Sequence, residues 1–307
     1  MTPLISICIP AYERPDYLKR LLDSIAKQAF RDFEVIITDD SASDAVEELL
    51  FGSNYKFSLS YQRNPRPLGT PKNWMEGIKL ASGHWIKIMH DDDWFTDRYA
   101  LENFAAQIDE GADVLFSGYL ACDEVKGRTT NKTIRQSAFH AIRKDPYRLF
   151  ADNLIGPPSV VLFRRSMQEL YDPQLKWLVD LEAYVRMIRR YSVRYIALPL
   201  VTMSYNETQV TNECFRNPAI EIPEALYYYR KHGLASIRSW ISYDGWWRLI
   251  RNLSIRNEQE IREHAGKETV PSFLLRIIRF QQQISPALLR NGVLSKLLMT
   301  VSYYVNR

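Results

Sequence analysis

Trp85-Ile86-Lys87-Ile88-Met89-His90-Asp91-Asp92-Asp93-Trp94 is the stretch on which the reading of this chain turns. Its first half is a mostly apolar run of strand length, and three consecutive carboxylates close it. Massed carboxylates repel each other and hold water strongly, so the end of a core strand suits them only if a cation or a helix start compensates the charge. Hard oxygen donors suit Mg²⁺ or Mn²⁺, and such ions are commonly held by carboxylates together with substrate phosphates. The other reading is a helix cap, where the dipole favours negative charge.

Working outward, the first ~120 residues alternate strand and helix patterns. Ile5–Ile9 reads as a buried strand, followed by a turn at Pro10 and Pro15. Tyr17 to Gln28 has helical spacing, with Leu18, Leu21, Leu22 and Ile25 on one face. Strands are predicted at Phe33–Thr38, Leu59–Gln62, Trp85–Met89 and Val114–Leu120. Helices are predicted from an N-cap at Ser41 through Leu50, over Asn73 to Ala81, and from Asp97 to Glu110. Further on, Lys126–Arg135 reads as a hairpin or loop, Val160–Phe163 as a strand, Trp177 to Arg190 as a helix and Val193–Val201 as a strand. Such alternation implies an α/β fold with a mostly parallel sheet flanked by helices. Ligands in such sheets bind at the carboxyl ends of the strands. Asp39-Asp40 and Asp91–Asp93 both fall at strand ends and should open onto one crevice.

The chain has 307 residues, 46% of them hydrophobic and 25% charged, which leaves room for one large α/β domain and an appendage. Cys8, Cys122 and Cys214 are widely spaced and odd in number, which fits a reducing compartment and neither a disulfide framework nor a zinc site. No basic segment precedes a long apolar one, and the longest apolar candidate, Val293 to Val305, is interrupted by Lys296. Neither a signal peptide nor a spanning helix is therefore expected. Residues 1–223 carry 27 Lys+Arg against 30 Asp+Glu, whereas residues 224–307 carry 13 against 6. The positive excess of the last quarter suits an anionic partner.

Four spaced segments, in order, resemble the family 2 glycosyltransferases. Ser6-Ile7-Cys8-Ile9-Pro10-Ala11-Tyr12-Glu13-Arg14 resembles the family's first strand and loop. Phe33 to Ser41 matches its second strand and paired aspartates. Asn64 and Gly69, then Lys72-Asn73 and Gly77, match an Asn…Gly…Arg-Asn…Gly stretch with Lys for Arg. His90-Asp91-Asp92-Asp93-Trp94 resembles the DXD segment, with His90 in the place of its first aspartate. The resemblance covers residues 4–212. It implies the GT-A fold, a Rossmann-like nucleotide-diphospho-sugar transferase architecture, over residues 1–223: a nucleotide-sugar half (1–120) and an acceptor half (121–223).

The same resemblance implies roles. Asp92 would be the direct ligand of Mn²⁺ or Mg²⁺, Asp91 would reach ribose or metal through water, and Asp93 would be a ligand or a cap. His90 reads as a packed neighbour, since hard cations prefer oxygen. Asp39 would accept from the nucleotide base, with Asp40 on the ribose or bracing the loop. Pro10, Ala11 and Tyr12 would wall the base, and Arg14 and Lys72 are candidates for the phosphates. On the acceptor side, Asp180 matches the family's general base, Glu182 is a backup, and Gly156-Pro157-Pro158-Ser159 resembles a bordering loop. Asn206 stands where a histidine near the metal is common. The activity implied is inverting transfer from a nucleotide-diphosphate sugar to a glycan or polyprenyl-diphosphate-linked acceptor, in surface polysaccharide or O-antigen assembly. A sugar-1-phosphate nucleotidyltransferase is the alternative enzyme, but it needs a Gly-rich basic loop where Pro10-Ala11-Tyr12-Glu13 stands. A non-catalytic carbohydrate-binding or scaffold derivative is the third reading.

Residues 224–307 fall outside the family core and read as a basic, amphipathic helical extension. Phe273, Ile277, Phe280, Ile284 and Leu288 recur at helical spacing, as do Val293, Leu294, Leu297, Leu298 and Val301, and Trp240, Trp246 and Trp247 add amphipathic aromatics. Two expectations follow: contact with an anionic membrane surface, or packing on the catalytic domain or a second subunit. The location expected is cytoplasmic, or peripheral on the inner face of the membrane. No nucleic-acid partner is expected, and a homo-oligomer is compatible with the pattern.

Overall fold

A computed structural model of the chain describes residues 2–108, 111–167, 170–205 and 213–306. The backbone divides into two compact units, Met1–His140 with Ile155–Glu207, and Ala141–Leu154 with Thr208–Arg307.

The first unit is built on one mixed sheet. Strands β1 (Ile5–Ala11), β2 (Phe33–Asp39), β3 (Ser58–Arg63) and β4 (Trp85–Ile88) are parallel, in the order β3-β2-β1-β4. Two-residue β5 (Trp94–Phe95), β6 (Val114–Asp123), β7 (Arg128–Lys132), β8 (Val161–Arg164) and β9 (Val193–Tyr205) continue it. β8 joins β4 to β6 by antiparallel pairings on both sides, β9 runs parallel to β6, and β5 closes the far end against β9. The Lys126–Arg135 region contains the hairpin arm β7, paired with β6.

Helices α1 (Pro15–Ala26), α2 (Ala45–Phe51), α3 (Lys72–Leu80), α4 (Ala100–Ala105), α5 (Gln136–Lys144) and α6 (Val179–Arg190) accompany these strands. Leu18, Leu21, Leu22 and Ile25 of α1 are buried, as their three-and-four spacing requires. Gly77 lets α3 sit close to the sheet: a Cβ there would lie 3.2 Å from Cys8 Cβ.

Some local expectations need correction. Ser41 is not the cap of α2: Asp44 precedes that helix, and the Ser41 hydroxyl binds the Asp39 carboxylate instead. Asp93 caps no helix, because the next element is β5. The helix expected over Asp97 to Glu110 is confined to Ala100–Ala105, and Glu110 lies outside the described residues.

The second unit is helical. It contains a 3₁₀ turn at Pro146–Phe150, then α7 (Pro218–His232), α8 (Trp240–Asn252), α9 (Glu258–His264), α10 (Ser272–Gln282), α11 (Pro286–Arg290) and α12 (Gly292–Asn306). Pro223 lies inside α7. Trp246 and Trp247 are fully buried, so they are core residues and not surface aromatics. Phe150 packs its ring 4.5 Å from that of Trp246 and 5.1 Å from that of Tyr228. Gly245 permits this, since a Cβ there would come within 2.7 Å of the Phe150 ring. Among the described residues, no helix is long and apolar enough to cross a membrane.

Candidate active site

The parallel register fixes where the acidic clusters stand. Ala11 is level with Asp39 across β1 and β2, Cys8 is level with Ile88 across β1 and β4, and the Met89 N–H donates to the Cys8 carbonyl. Asp39-Asp40, Ala11-Tyr12 and His90–Asp93 therefore leave the sheet at one edge, the carboxyl ends of three adjacent strands.

Asp39 is wholly buried. Its Oδ2 accepts from the Tyr61 hydroxyl at 2.9 Å, and its Oδ1 accepts from the Ser41 N–H at 2.9 Å and the Ser41 hydroxyl at 2.5 Å. A carboxylate has about four acceptor sites, so this arrangement leaves capacity for one more donor. Asp40 does a different job. It accepts from Asn64 Nδ2 at 2.8 Å and from the N–H groups of Leu68 and Gly69 at 3.0 and 2.8 Å. Asn64 also donates to Asn73 Oδ1 at 3.0 Å, and Asn73 donates on to the Thr38 carbonyl at 3.1 Å. Gly69 adopts φ 71°, a conformation that favours glycine. The spaced Asn, Gly and Asn residues thus hold a loop against the end of β2, with Asp40 as its anchor. Lys72 is exposed in the first turn of α3.

Arg14 is engaged by the acidic triplet. Its Nη2 and Nε bind both oxygens of Asp91, and its Nη1 lies 3.0 Å from Asp92 Oδ2. Burial works against the Arg14 charge, but Asp91 and Asp92 outweigh it and raise its pKa. Burial pushes the Asp91 carboxyl up to about 7, with Arg14 pulling the other way. The Tyr12 N–H also points at Asp91, at 3.4 Å.

His90, Asp92 and Asp93 form a second group, which shares Asp92 with Arg14. One donor atom from each lies within 4.8 Å of the others. His90 Nε2 and Asp93 Oδ2 are both buried and have no hydrogen-bond partner. Such orphans are rare, because leaving a buried polar atom unsatisfied costs about 1–3 kcal/mol. Donor atoms each ~2.1 Å from one cation are at most ~4.2 Å apart, so small side-chain rotations would bring the three together. Burial keeps His90 neutral, pushing its pKa down to about 4, and the neutral imidazole is the ligating form. Burial raises Asp93 well above the ordinary carboxylate range, and Asp92 adds to this. A bound cation would reverse that pressure. The residues present therefore fit a divalent ion.

The floor of this group is made by residues distant in sequence. The Ser159 hydroxyl accepts from the His90 N–H at 3.0 Å, and the Ser204 N–H approaches Asp93 Oδ1 at 3.3 Å. Beneath them lies Lys87, completely buried in β4 and donating to the main-chain carbonyls of Ser159 and Val161. Its ammonium also stands 4.6 Å from the centre of the Phe104 ring. Burial depresses its pKa to about 7, against the opposing pull of Asp93. Neither Lys87 nor Ser204 carries a motif that marks it in the sequence. The visible signal for Lys87 was a lone lysine inside a strand otherwise made of Trp, Ile and Met.

Asp180 stands in the first turn of α6 and accepts from the Leu181 N–H at 2.7 Å. Helix N-termini favour the ionised carboxylate. Glu182 is fully buried and held by Arg186 Nε at 2.8 and 2.9 Å, which makes it a structural ion pair of α6. The Gly156 carbonyl accepts from the Tyr184 hydroxyl at 3.1 Å, joining the Gly156 loop to the same helix. Asn206 lies outside the described residues.

Two carboxylate clusters at the carboxyl edge of parallel strands, with a donor set suited to a divalent ion, define an α/β protein whose candidate site lies at that edge. Comparison with known proteins makes the class specific. The pattern of Glycosyl transferase family 2 matches residues 6–170, more than half the chain, and the chain belongs to that family. Abequosyltransferase RfbV of Salmonella typhimurium strain LT2 is 34% identical over 136 residues, 42% of this chain and 40% of that protein. Putative glycosyltransferase EpsH of Bacillus subtilis strain 168 is 29% identical, and the chain spans 49% of its length. The putative colanic acid biosynthesis glycosyl transferase WcaA of Escherichia coli K12 is 25% identical over 85% of this chain and 97% of its own. Residues 1–349 of S. aureus TarS superpose with a TM-score of 0.61 at 19% identity, over 98% of this chain and 88% of that one. The mannosyltransferase PcManGT of Pyrobaculum calidifontis, in complex with GDP-Man and Mn²⁺, gives 0.57 at 12% identity, over 100% and 87%. These structures share the GT-A fold with this chain.

Proposed function

We propose that this protein is an inverting, metal-assisted glycosyltransferase. It moves a sugar from a nucleotide-diphosphate donor to a hydroxyl of a glycan or polyprenyl-diphosphate-linked acceptor in surface polysaccharide assembly. The observation that carries the reading is the shared strand edge, where buried Asp39 and the His90–Asp93 group leave parallel strands at the same end of the sheet. Asp39 accepts a hydrogen bond from the base, and Ala11 and Tyr12 flank it. Asp40 acts through the loop it anchors. Asp92 and Asp93, with His90 beside them, hold Mn²⁺ or Mg²⁺. That ion, when bound, offsets the negative charge that builds on the departing diphosphate. Arg14, paired with Asp91 and Asp92, and Lys72 are the candidates to share that charge.

Asp180 takes the proton from the acceptor hydroxyl. One base acting on the face opposite the leaving group gives a single displacement, hence inversion. The basic residues 224–307 favour work at an anionic inner-membrane surface, where a lipid-linked acceptor would lie.

Calorimetry with UDP, GDP and CDP, with and without Mn²⁺, tests the donor reading. Binding of one nucleotide that requires the metal is expected. Absence of any metal-dependent nucleotide binding would falsify it.

A further inference from the structure

The last helix of the second unit is built inside out. α12 turns Ser295, Met299, Ser302 and Tyr303 inward. The two serines are occupied there: Ser295 Oγ accepts from Trp247 Nε1 at 3.0 Å, and Ser302 Oγ pairs with the Tyr243 hydroxyl at 2.8 Å. The aliphatic residues face solvent instead, with Val293 73%, Leu297 60%, Val301 51% and Val305 70% exposed. These positions recur every four residues along one side of the helix, and Tyr304 and, on α11, Leu288 are exposed as well. Single exposed aliphatics are unremarkable on a soluble surface, but a helix-long stripe of them marks an interaction face.

The charges around the stripe say what covers it. Residues 269–307 contain five Lys and Arg and no Asp or Glu. Lys296 is paired with Asp244, and Arg279 with Glu258. Arg290 is exposed at the end of α11, and Arg251 donates to Ser295 Oγ at 3.1 Å. Burial lowers the Arg251 pKa, and nearby Arg248 and Arg216 add to this while Asp244 opposes it. A second copy of the chain would bring the same basic surface against itself, with no carboxylate in 269–307 to meet it. Anionic lipid headgroups supply the missing charge, and the acyl boundary accepts the aliphatics. α12 has 15 residues, about 22 Å of helix, which is shorter than the ~30 Å hydrocarbon core. It is suited to lie in the interface plane.

We propose that the α11–α12 face is a membrane-docking surface that seats this protein on an anionic bilayer through Leu288, Val293, Leu297, Val301, Tyr304 and Val305. The proposal deepens the reading of 224–307 as membrane-facing, and it stands independently of the transferase chemistry.

The test is flotation of the full-length protein with vesicles of phosphatidylcholine containing about one-third phosphatidylglycerol, and with vesicles of phosphatidylcholine alone. The double variant Leu297→Asp/Val301→Asp changes only exposed positions, and its melting temperature verifies the fold. Sedimentation velocity of both proteins runs in parallel. The wild type should float with the anionic vesicles, at least about tenfold more than with neutral ones, since each basic group near the surface adds to the attraction. The double variant should stay at the bottom, and both proteins should sediment as monomers. Equal flotation of the two proteins, or none for the wild type, overturns the proposal. A wild-type dimer that the double variant splits assigns the face to a second copy and overturns it as well. Mn²⁺-dependent nucleotide binding, measured on the same samples, reports on the donor site separately.

Discussion

The Lys87 ammonium, fully buried in β4, donates to the main-chain carbonyl of Ser159, whose hydroxyl in turn accepts from the His90 N–H. One lysine thus joins the strand that delivers the acidic triplet to the turn that supports it. In Lys87→Met, the Ser159 and Val161 carbonyls lose this donor. An unsatisfied buried acceptor costs about 1–3 kcal/mol. The pH dependence gives a second readout. An unfolded lysine titrates near 10.5 and the buried Lys87 near 7, so between these values the unfolded chain binds more protons. Stability from this group therefore rises with pH across that window, and the penalty of burying the charge is complete below 7. The wild type should exceed Lys87→Met in stability most at alkaline pH, and the gap should narrow toward neutrality. Urea titrations of both proteins at about pH 7 and pH 9 measure it. A pH-independent gap would argue against a buried, depressed lysine.

The orphaned His90 Nε2 and Asp93 Oδ2 should become satisfied when Mn²⁺ is added. Imidazole is a better donor for Mn²⁺ than for Mg²⁺. Pulsed EPR of the Mn²⁺-loaded protein should show a directly coordinated nitrogen that disappears in His90→Ala. Asp93→Asn should weaken Mn²⁺ binding by about tenfold or more, on the scale of a lost metal contact. Tight Mn²⁺ binding without nitrogen coupling would return His90 to the status of a packing neighbour of Trp74, whose ring lies 4.9 Å away.

Asp92 and Asp180 should fail in different ways. Asp92→Ala should remove metal-dependent donor binding, seen as loss of the calorimetric signal with nucleotide and Mn²⁺. Asp180→Asn should bind the donor normally and lose transfer by ~10²-fold or more, the usual worth of a positioned base. Normal turnover by Asp180→Asn would disprove the base assignment.

Two glycines make a stability contrast. Gly156 has φ 106°, and a Cβ there would fall 2.4 Å from the Tyr119 ring. Gly69 has φ 71° with open space around it. Gly69→Ala should cost about 1–2 kcal/mol, the price of a left-handed alanine. Gly156→Ala should cost more, because a backbone penalty of ~1–3 kcal/mol is added to the displacement of Tyr119. Chemical denaturation midpoints compare the two directly.

Much of the first unit was legible in sequence because its signals are local. The alternation of period-two and helical runs placed β1, β2 and β4, and parallel connection then put Asp39 and Asp91–Asp93 at one edge. The α1 face of Leu18, Leu21, Leu22 and Ile25 followed from spacing alone. Ser41 misled because a serine two residues after Asp39 serves equally well as a helix cap or as a donor to that carboxylate. Only the β2 strand end chose between them.

What sequence by itself determined, then, is the order of elements and the edge at which the carboxylates collect. The tertiary structure decided how the acidic triplet divides, with Asp91 taken by Arg14 and Asp93 turned toward His90. It also decided which face of α12 is outside. Periodicity shows that a helix has an apolar stripe but carries no sign for its direction. Here Trp247 and Tyr243, 48 and 59 residues before their partners, needed hydroxyl groups in the core and drew Ser295 and Ser302 inward. A buried indole N–H or phenol must find a partner, and that need left the aliphatic side of α12 to the surface.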